Sequence, residues 1–166
     1  GTVNVDTPNT YLYYVLGNGQ AIRYGIGVGR DGFTWSGTEK ISRKTEWPDW
    51  HPPAEMIQRQ PYLPRFVAGG ESNPLGARAL YLGNSEYRIH GTNAPKSIGQ
   101  NASSGCIRML NEHVIDLYEK VSWAAPDKKF AARVVDQLYR EGDSPLRYKI
   151  NRLGGRVTLI AGSAVM

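Results

Sequence analysis

The stretch that decides the fold class is residues 11–29, YLYYVLGNGQAIRYGIGVG. Its first six residues form an apolar run rich in aromatic side chains, and GNGQ at 17–20 is typical of a tight hairpin turn. From residue 22 to residue 28, apolar positions alternate with arginine or glycine, which is the period of two of a strand with one buried face. The stretch therefore predicts an antiparallel β-hairpin.

Further strand patterns flank this hairpin. Alternating valines at residues 3–5 predict a first strand, and GRVTLIA at 155–161 predicts a late one. Residues 79–82 and 87–89 predict a second hairpin, which places His90 at a strand end. Because strands dominate, we expect a mainly β fold.

Two short helices are also expected. One spans residues 53–58, since proline is favoured at the first position of a helix. The other follows Cys106, with Asn111 as its N-cap and four apolar residues on one face: Val114, Leu117, Tyr118 and Val121. At 130–138 apolar residues recur at helical spacing, in a pattern that fits a strand as well.

Irregular structure is expected over residues 30–78, where six prolines interrupt regular elements. Four aromatic residues in this stretch indicate an ordered, packed loop: Trp35, Trp47, Trp50 and Tyr62. A polar loop is expected over residues 92–103, between His90 and the only cysteine.

The composition limits the function classes. A chain of 166 residues fits one domain, and it has no apolar run long enough for a transmembrane segment. Its net charge of +5 suits an anionic partner, but the basic residues are scattered, which favours a solvated surface over a nucleic-acid site. A single cysteine excludes an intramolecular disulfide and a cysteine-rich zinc site. The chain starts at Gly1 without a signal peptide, which we interpret as a mature or trimmed form.

Cys106 has the setting of a nucleophile, between Gly105 and Arg108 in SSGCIRM at 103–109. A thiol reacts as its thiolate, which a nearby imidazole generates, and His90 is the candidate base. Gly105 permits a tight turn whose backbone N–H groups bind an oxyanion, and Arg108 suits a substrate carboxylate.

Structural roles remain open for the same residues. A lone cysteine is often a small buried hydrophobe, and His90 and Arg108 fit a structural histidine and a surface ion-pair partner. His51 and His113 are expected in a loop and on a surface, so the three histidines make a weak metal site, and no metal is predicted. The glycines at 25–29 lack the following helix of a nucleotide-binding loop.

Residues 87–109, YRIHGTNAPKSIGQNASSGCIRM, strongly resemble the signature of the L,D-transpeptidases with a YkuD-type catalytic domain. That signature is His-Gly, some fifteen residues, then Ser-His-Gly-Cys, an aliphatic residue, and Arg or Asn. NPLGARALYL at 73–82 and the first hairpin are also similar to the family. The resemblance implies a single catalytic domain over 1–166, a β-sandwich with a few short helices, one of them after the cysteine loop.

The match is clear for residues 1–121, and 122–166 is a divergent C-terminal segment. Residues 127–144 resemble the leader that family members carry before their first strand, so a rearranged terminus is an open alternative.

The resemblance also implies roles. Cys106 would be the nucleophile, His90 the base and the Gly91 carbonyl the group that orients it, with Gly105 in the catalytic turn. Substrate binding would fall to three residues: Ser103, Ser104 and Arg108. Ser104 stands where the familiar motif has histidine, and it keeps a hydrogen-bond donor but carries no positive charge. We expect this departure to affect thiolate stabilisation and rate more than the class of reaction.

The implied activity is peptidoglycan transpeptidation. The Cys106 thiolate would attack the diaminopimelate–D-Ala bond of a tetrapeptide stem, release D-Ala, and pass the acyl group to an amine. The product would be a 3–3 cross-link or an envelope protein attached to the wall. No cofactor is implied, carbapenem-type β-lactams are the expected inhibitors, and the expected location is the periplasm or cell envelope.

Three alternatives remain at this point. One is a hydrolase on the same scaffold, either an L,D-carboxypeptidase or a wall amidase or endopeptidase. Another is a non-catalytic peptidoglycan-binding module, against which the intact His90, Gly105, Cys106 and Arg108 argue. A nucleic-acid binder rests only on the net charge, and we do not expect one.

Overall fold

The computed structural model describes residues 1–30, 36–121 and 156–160. Its strands are β1 (Val3–Asp6), β2 (Tyr11–Gly17), β3 (Gln20–Gly29), β4 (Gly37–Glu46), β5 (Arg78–Leu82), β6 (Arg88–His90), β7 (Asn101–Ser103), β8 (Ile107–Met109) and β9 (Arg156–Ile160). Its helices are α1 (Ala54–Arg59) and α2 (Asn111–Lys120), with a single 3-10 turn at Pro95–Ser97 in the described residues. The prediction of a mainly β fold with a few short helices is confirmed.

The strands form one sheet in the order β2-β1-β9-β4-β5-β6-β8-β3-β7. Because β2 also pairs with β3, the strand order returns on itself, and the apolar faces of the strands surround one core. The side chains of that core that are almost completely buried include Leu12, Ile26, Leu80, Leu82, Ile89, Met109 and Leu117.

Both predicted hairpins are confirmed. β2 and β3 are antiparallel, with Tyr13 opposite Arg23, and the turn between them has positive φ at Gly17, Asn18 and Gly19. β5 and β6 are also antiparallel. The late strand is confirmed as β9, which runs parallel to β1 and antiparallel to β4.

The expectation of irregular structure over 30–78 is wrong for ten residues. β4 occupies Gly37–Glu46, before the first proline of that stretch, and pairs with β5 on one side and β9 on the other. Ile41 is its one buried residue, so β4 lacks the alternation of apolar residues that reveals a strand. The strands β7 and β8, each of three residues, were also not predicted.

Both helices lie where they were predicted, but their N-cap residues differ from the prediction. α1 starts one residue after the predicted position, and Pro53 is its N-cap. α2 buries Val114 and Leu117 as expected, but Leu110 is the N-cap and the Asn111 side chain does not cap the helix. Trp35 and the pattern at 130–138 lie outside the described residues.

α2 is fastened to the sheet at its C-terminal end. Lys44 of β4 donates hydrogen bonds to the backbone carbonyls of Tyr118 and Val121, the latter at 3.0 Å. These carbonyls have no partner within the helix, and a cation at this end also complements the helix dipole. In the part of the chain that the structure describes, no helix has the length and apolar character needed to cross a bilayer.

Candidate active site

The strand register places the predicted site residues on the face of the sheet that points away from the core. His90 of β6 lies opposite Arg108 of β8, and Arg108 lies opposite Gly27 of β3. Ile89 and Ile107 alternate with them and are buried in the core. Side chains at 88, 90, 106 and 108 therefore share one face.

Cys106 directly precedes β8, so the parallel register of β6 and β8 puts it beside Arg88. His90 is two residues further along β6, which is roughly 7 Å at the usual rise per residue of a strand. The fold thus brings Cys106 and His90 to adjacent positions on one face, although fifteen residues lie between them in the sequence.

His90 is buried, and its ring is held by the next residue. Nδ1 lies 2.6 Å from the Gly91 carbonyl oxygen. A carbonyl only accepts, so Nδ1 donates, and Nε2 is the proton acceptor of the neutral ring. Burial lowers the pKa of His90 to about 4, and the charges of Arg88 and Arg108 act in the same direction. The imidazole is therefore neutral near pH 7.

Cys106 is half-buried, and its Sγ donates to the Glu86 carbonyl at 3.8 Å. Burial raises the pKa of the thiol, while the charge and hydrogen bonds of Arg88 act against this rise. The resting pair is consequently a thiol and a neutral imidazole rather than an ion pair. Such a pair generates its thiolate when the base removes the proton during attack.

Ser103 shapes the turn that carries the cysteine. Its Oγ donates to the Cys106 carbonyl at 2.6 Å and accepts from the Gly105 N–H at 3.2 Å. Gly105 has φ +103, a conformation that favours glycine. The Gly105 N–H was expected to bind an oxyanion, but in this structure it is used inside the turn. Ser104 lies half-buried between these two residues.

Arg108 is engaged with protein rather than open on the face. Its Nη2 donates to the carbonyls of Gln100 at 3.1 Å and Ser97 at 3.4 Å. Gly27 makes room for it, since a Cβ there would lie 2.6 Å from Nη2. Arg108 thus fastens the 97–100 segment beside the site, a role that the expected carboxylate contact did not include.

Asn111 is a residue whose role the sequence analysis missed. Its Oδ1 accepts from the backbone N–H groups of Ala77 at 3.0 Å and Thr92 at 3.1 Å. A Cβ at Gly76 or Gly91 would lie 2.2 Å from this oxygen, so both positions need glycine. Asn111 therefore fixes the segment that presents the Gly91 carbonyl to His90. The sequence does contain a sign of this close approach, namely Gly76 in PLGA and Gly91 in HGT.

Asn73 orders the proline-rich segment before β5. It is fully buried, and Nδ2 donates to the carbonyls of Pro48, Val67 and Ala68 at 3.0–3.1 Å. Its Oδ1 accepts from the Leu75 N–H at 2.8 Å. The backbone of Leu75 acts on His90 as well, since it raises the pKa of the ring against the larger effect of burial. The described part of the predicted loop is thus an ordered wall beside the histidine.

The other two histidines lie elsewhere. The His51 ring packs against Phe66, with centroids 5.1 Å apart, and His113 of α2 packs against Tyr24 at 5.6 Å. The three histidines belong to three separate segments and do not converge.

Comparisons with known proteins place this arrangement in context. The family model for the L,D-transpeptidase catalytic domain matches residues 1–155. "Probable L,D-transpeptidase YbiS" of Escherichia coli strain K12 is 42% identical over 118 residues, which cover 66% of this chain and 37% of that protein. The chain thus spans little more than a third of that curated relative.

Two solved structures are similar as well. One, from Brucella melitensis and described as a probable carnitine operon oxidoreductase, is 44% identical with TM-score 0.51, covering 76% of this chain and 84% of that one. The catalytic domain of the E. faecium L,D-transpeptidase, acylated by ertapenem, has TM-score 0.55 and 16% identity, with 75% and 92% covered. At that identity the second likeness shows the fold alone.

Proposed function

The chain belongs to the family of L,D-transpeptidase catalytic domains, and on this premise we propose that it is a cysteine acyltransferase acting on peptidoglycan stem peptides. The observation that carries the proposal is the adjacency of Cys106 and His90 on one sheet face, with the His90 ring held through Nδ1. A nucleophile, a base and a group that orients the base are the parts that acyl transfer requires.

In the first half-reaction, Cys106 Sγ attacks the carbonyl carbon that joins the L-centre of diaminopimelate to D-Ala. His90 Nε2 takes the thiol proton as the C–S bond forms. The C–N bond then breaks, His90 returns that proton to the departing amine, and D-Ala leaves. The stem remains on Cys106 as a thioester.

In the second half-reaction, an amine attacks the thioester carbonyl. His90 takes a proton from the attacking nitrogen and gives it to the leaving sulfur, which restores the thiol. A diaminopimelate side-chain amine yields a 3–3 cross-link, an amine of an envelope protein yields attachment to the wall, and water yields carboxypeptidation. With an amine acceptor the net change is one amide exchanged for another, with free D-Ala as the second product, and with water it is hydrolysis of the amide.

The neutral resting pair supports this sequence of proton transfers. Because burial keeps the pKa of His90 at about 4, the ring is ready to accept a proton at neutral pH. Ser103 and Gly105 hold the turn that carries Cys106. Arg108 fastens the 97–100 segment beside the site. We assign the Ser104 hydroxyl to contact with the substrate. No step in the sequence needs a cofactor.

Two further parts of the proposal follow from the family. We assign the protein to the cell envelope, where its substrate lies. We also expect carbapenem-type β-lactams to acylate Cys106, as ertapenem acylates the E. faecium relative. The redox description of the Brucella protein is not carried over, because the family model and the curated relative both name transpeptidation.

The proposal is tested with purified disaccharide-tetrapeptide and mass spectrometry of the products. The expected result is a cross-linked dimer with loss of one D-Ala, which is absent for Cys106→Ala and reduced at least a hundredfold for His90→Gln. Asn84→Ala, at an exposed position in the β5–β6 turn, is the control and should match the parent protein.

Each remaining outcome decides between alternatives. Loss of D-Ala without a dimer would favour the carboxypeptidase. If the tetrapeptide stays unchanged with every acceptor amine tried, the tetrapeptide stem is not the acyl donor. Cross-linked wall would then be the substrate to examine.

A further inference from the structure

We propose that Arg88 supplies the positive charge that stabilises the Cys106 thiolate, and that its guanidinium is held in place for this purpose. The inference rests on the proposed function, since it concerns the same nucleophile. It assigns the charge to a residue of β6 that lies outside the cysteine motif. Residue 104, inside that motif, is a serine and carries no charge.

The strand register supplies the first step. Ile89 pairs with Ile107 in the parallel arrangement of β6 and β8, so the position one residue earlier on each strand brings Arg88 beside Cys106. Both side chains lie on the face that points away from the core, because their neighbours Ile89 and Ile107 are buried.

A shared acceptor supplies the second step. Arg88 donates from Nε and from Nη2 to the Glu86 carbonyl, each at 3.3 Å. Cys106 Sγ donates to the same oxygen at 3.8 Å. The guanidinium and the sulfur therefore surround one oxygen atom, and when the thiol loses its proton the nearby N–H groups are the available donors to the anion.

Tyr81 restrains the guanidinium from the other side. It pairs with Arg88 across β5 and β6, and the Arg88 Cζ lies 5.2 Å from the centre of its ring. Arg43 of β4 packs on the same ring at 3.8 Å. The two cation–π contacts and the Glu86 bonds limit the positions open to Arg88, so little reorganisation is needed when the thiolate forms.

The other charged groups near Cys106 do not replace Arg88. His90 is neutral at physiological pH because it is buried. Arg108 interacts with Cys106 by charge, but it directs Nη2 to the carbonyls of the 97–100 segment rather than to the sulfur. The Glu86 carboxylate acts against the thiolate. Arg43 lies beyond Tyr81 in the row of paired residues. Among these groups, Arg88 is the one that lowers the pKa of the Cys106 thiol both by charge and by hydrogen bonding.

Arg88 acts on the base as well. Its charge contributes to the lowered pKa of His90, so one guanidinium favours the thiolate and disfavours the imidazolium. Removal of the charge should therefore raise both pKa values together. Substitution of a residue that only supported the fold would not raise the pKa values of Cys106 and His90 together.

The test measures alkylation of the thiol by iodoacetamide from pH 6 to about pH 11.5, because burial already raises the pKa of Cys106 above its ordinary value. The chain has one cysteine, so the rate reports Cys106 alone, and no wall substrate is required. In Arg88→Gln the midpoint of the rate profile should rise by about one pH unit, which makes alkylation at pH 7 about tenfold slower. Arg88→Lys keeps the charge but loses the two-pronged contact with the Glu86 carbonyl and the planar stacking on Tyr81, so its midpoint should lie between those of the parent and Arg88→Gln.

Arg23→Gln is the matched control. Arg23 also packs on a tyrosine, with Cζ 4.6 Å from the Tyr11 ring centre. By the β3–β8 register it is six residues along β3 from the position facing Cys106, roughly 20 Å at the rise of a strand. Its midpoint should equal that of the parent protein. If Arg88→Gln does not fold, Arg88→Met replaces it, since methionine also lacks the charge but packs on Tyr81.

An unchanged midpoint in a folded, neutral Arg88 variant would overturn the inference, and so would an equal shift in Arg23→Gln. A second profile, kcat/KM against pH with tetrapeptide, should show the acid limb from His90 at higher pH in Arg88→Gln. If the alkylation midpoint shifts while the parent protein leaves tetrapeptide unchanged, the proposed function fails and this inference stands.

Discussion

Ser103 uses its hydroxyl twice, as donor to the Cys106 carbonyl and as acceptor from the Gly105 N–H. His90 likewise commits Nδ1 to the Gly91 carbonyl, which leaves Nε2 as the proton acceptor in the mechanism that we propose. At this scale the site consists of short local bonds that set the orientation of two reactive groups. Substitution of one such residue therefore changes the geometry of the reactive groups in addition to removing a contact.

Ser103→Ala tests the turn. It removes one bond and leaves the buried Gly105 N–H without its acceptor, so we expect a loss of about 1–3 kcal/mol in the free energy of unfolding. Transpeptidation should fall about tenfold or more, measured as kcat/KM. Ser103→Thr keeps the hydroxyl and should retain most of the activity, and Ser104→Ala should leave the stability unchanged. Equal stability of Ser103→Ala and the parent would contradict this role.

The buried imidazole predicts a pH dependence of stability. The pKa of His90 is about 4 in the folded protein and about 6.5 when unfolded, so the unfolded chain binds more protons between these values. Stability from this group is fully present above pH 6.5 and is lost as the pH falls towards 4. Between pH 7.5 and pH 5 we expect a loss of about 2 kcal/mol.

Urea unfolding of the parent and of His90→Gln measures this effect. The variant cannot take up that proton, so its free energy of unfolding should decrease about 2 kcal/mol less over the same interval. The other two histidines are present in both proteins and cancel in the comparison. Parallel curves for the two proteins would show that His90 is not buried in its neutral form.

At the scale of elements, α2 serves the site through its first residue. Asn111 joins the helix to the backbone before β5 and to the segment after β6, so three elements meet at one amide oxygen. The two glycines that approach this oxygen leave no space for a side chain. Lys44 holds the other end of the helix to β4. The helix therefore fixes the turn that follows His90.

Asn111→Ala should disconnect this junction. Two part-buried backbone N–H groups lose their acceptor, which predicts a loss of about 2–4 kcal/mol in the free energy of unfolding. We expect kcat to fall more than KM rises, because the Gly91 carbonyl loses its fixed position. Asn84→Ala, at an exposed position in the β5–β6 turn, is the control. A variant with unchanged kcat would show that the junction does not position His90.

For the whole molecule, the decisive feature is the return of the strand order on itself. β9 lies between β1 and β4 and pairs with both, so five residues near the C-terminal end join two parts of the sheet. Thr158 lies opposite Asn4 on one side and Thr38 on the other. A strand bonded on both sides tolerates no residue without an N–H.

Thr158→Pro tests this closure. Proline removes a backbone donor and opposes the strand geometry, so we expect at least about 3 kcal/mol of destabilisation, measured by thermal or urea unfolding. Thr158→Val keeps a β-branched residue and should unfold like the parent. Unaltered stability of the proline variant would mean that β9 adds nothing to the stability of the sheet.

The predictable parts of the fold are those whose signals are local. Tyr11–Gly17 and Gln20–Gly29 were predicted as a hairpin because turn residues and alternation lie within one short stretch. β4 was missed because Ile41 alone of its residues is buried, and its strand character comes from its two neighbours. The N-cap expected at Asn111 was wrong for a related reason, since its partners Ala77 and Thr92 are far along the chain.

The sequence by itself determined the strand-rich class, both hairpins, the buried face of α2, and the pairing of a cysteine with a histidine as the candidate chemistry. These follow from residue types and periods within short windows. Only the tertiary structure decided that Arg88 stands beside Cys106, that Arg108 binds its own chain, and that burial keeps His90 neutral. Strand register and burial depend on contacts between distant segments, and no local pattern encodes those contacts.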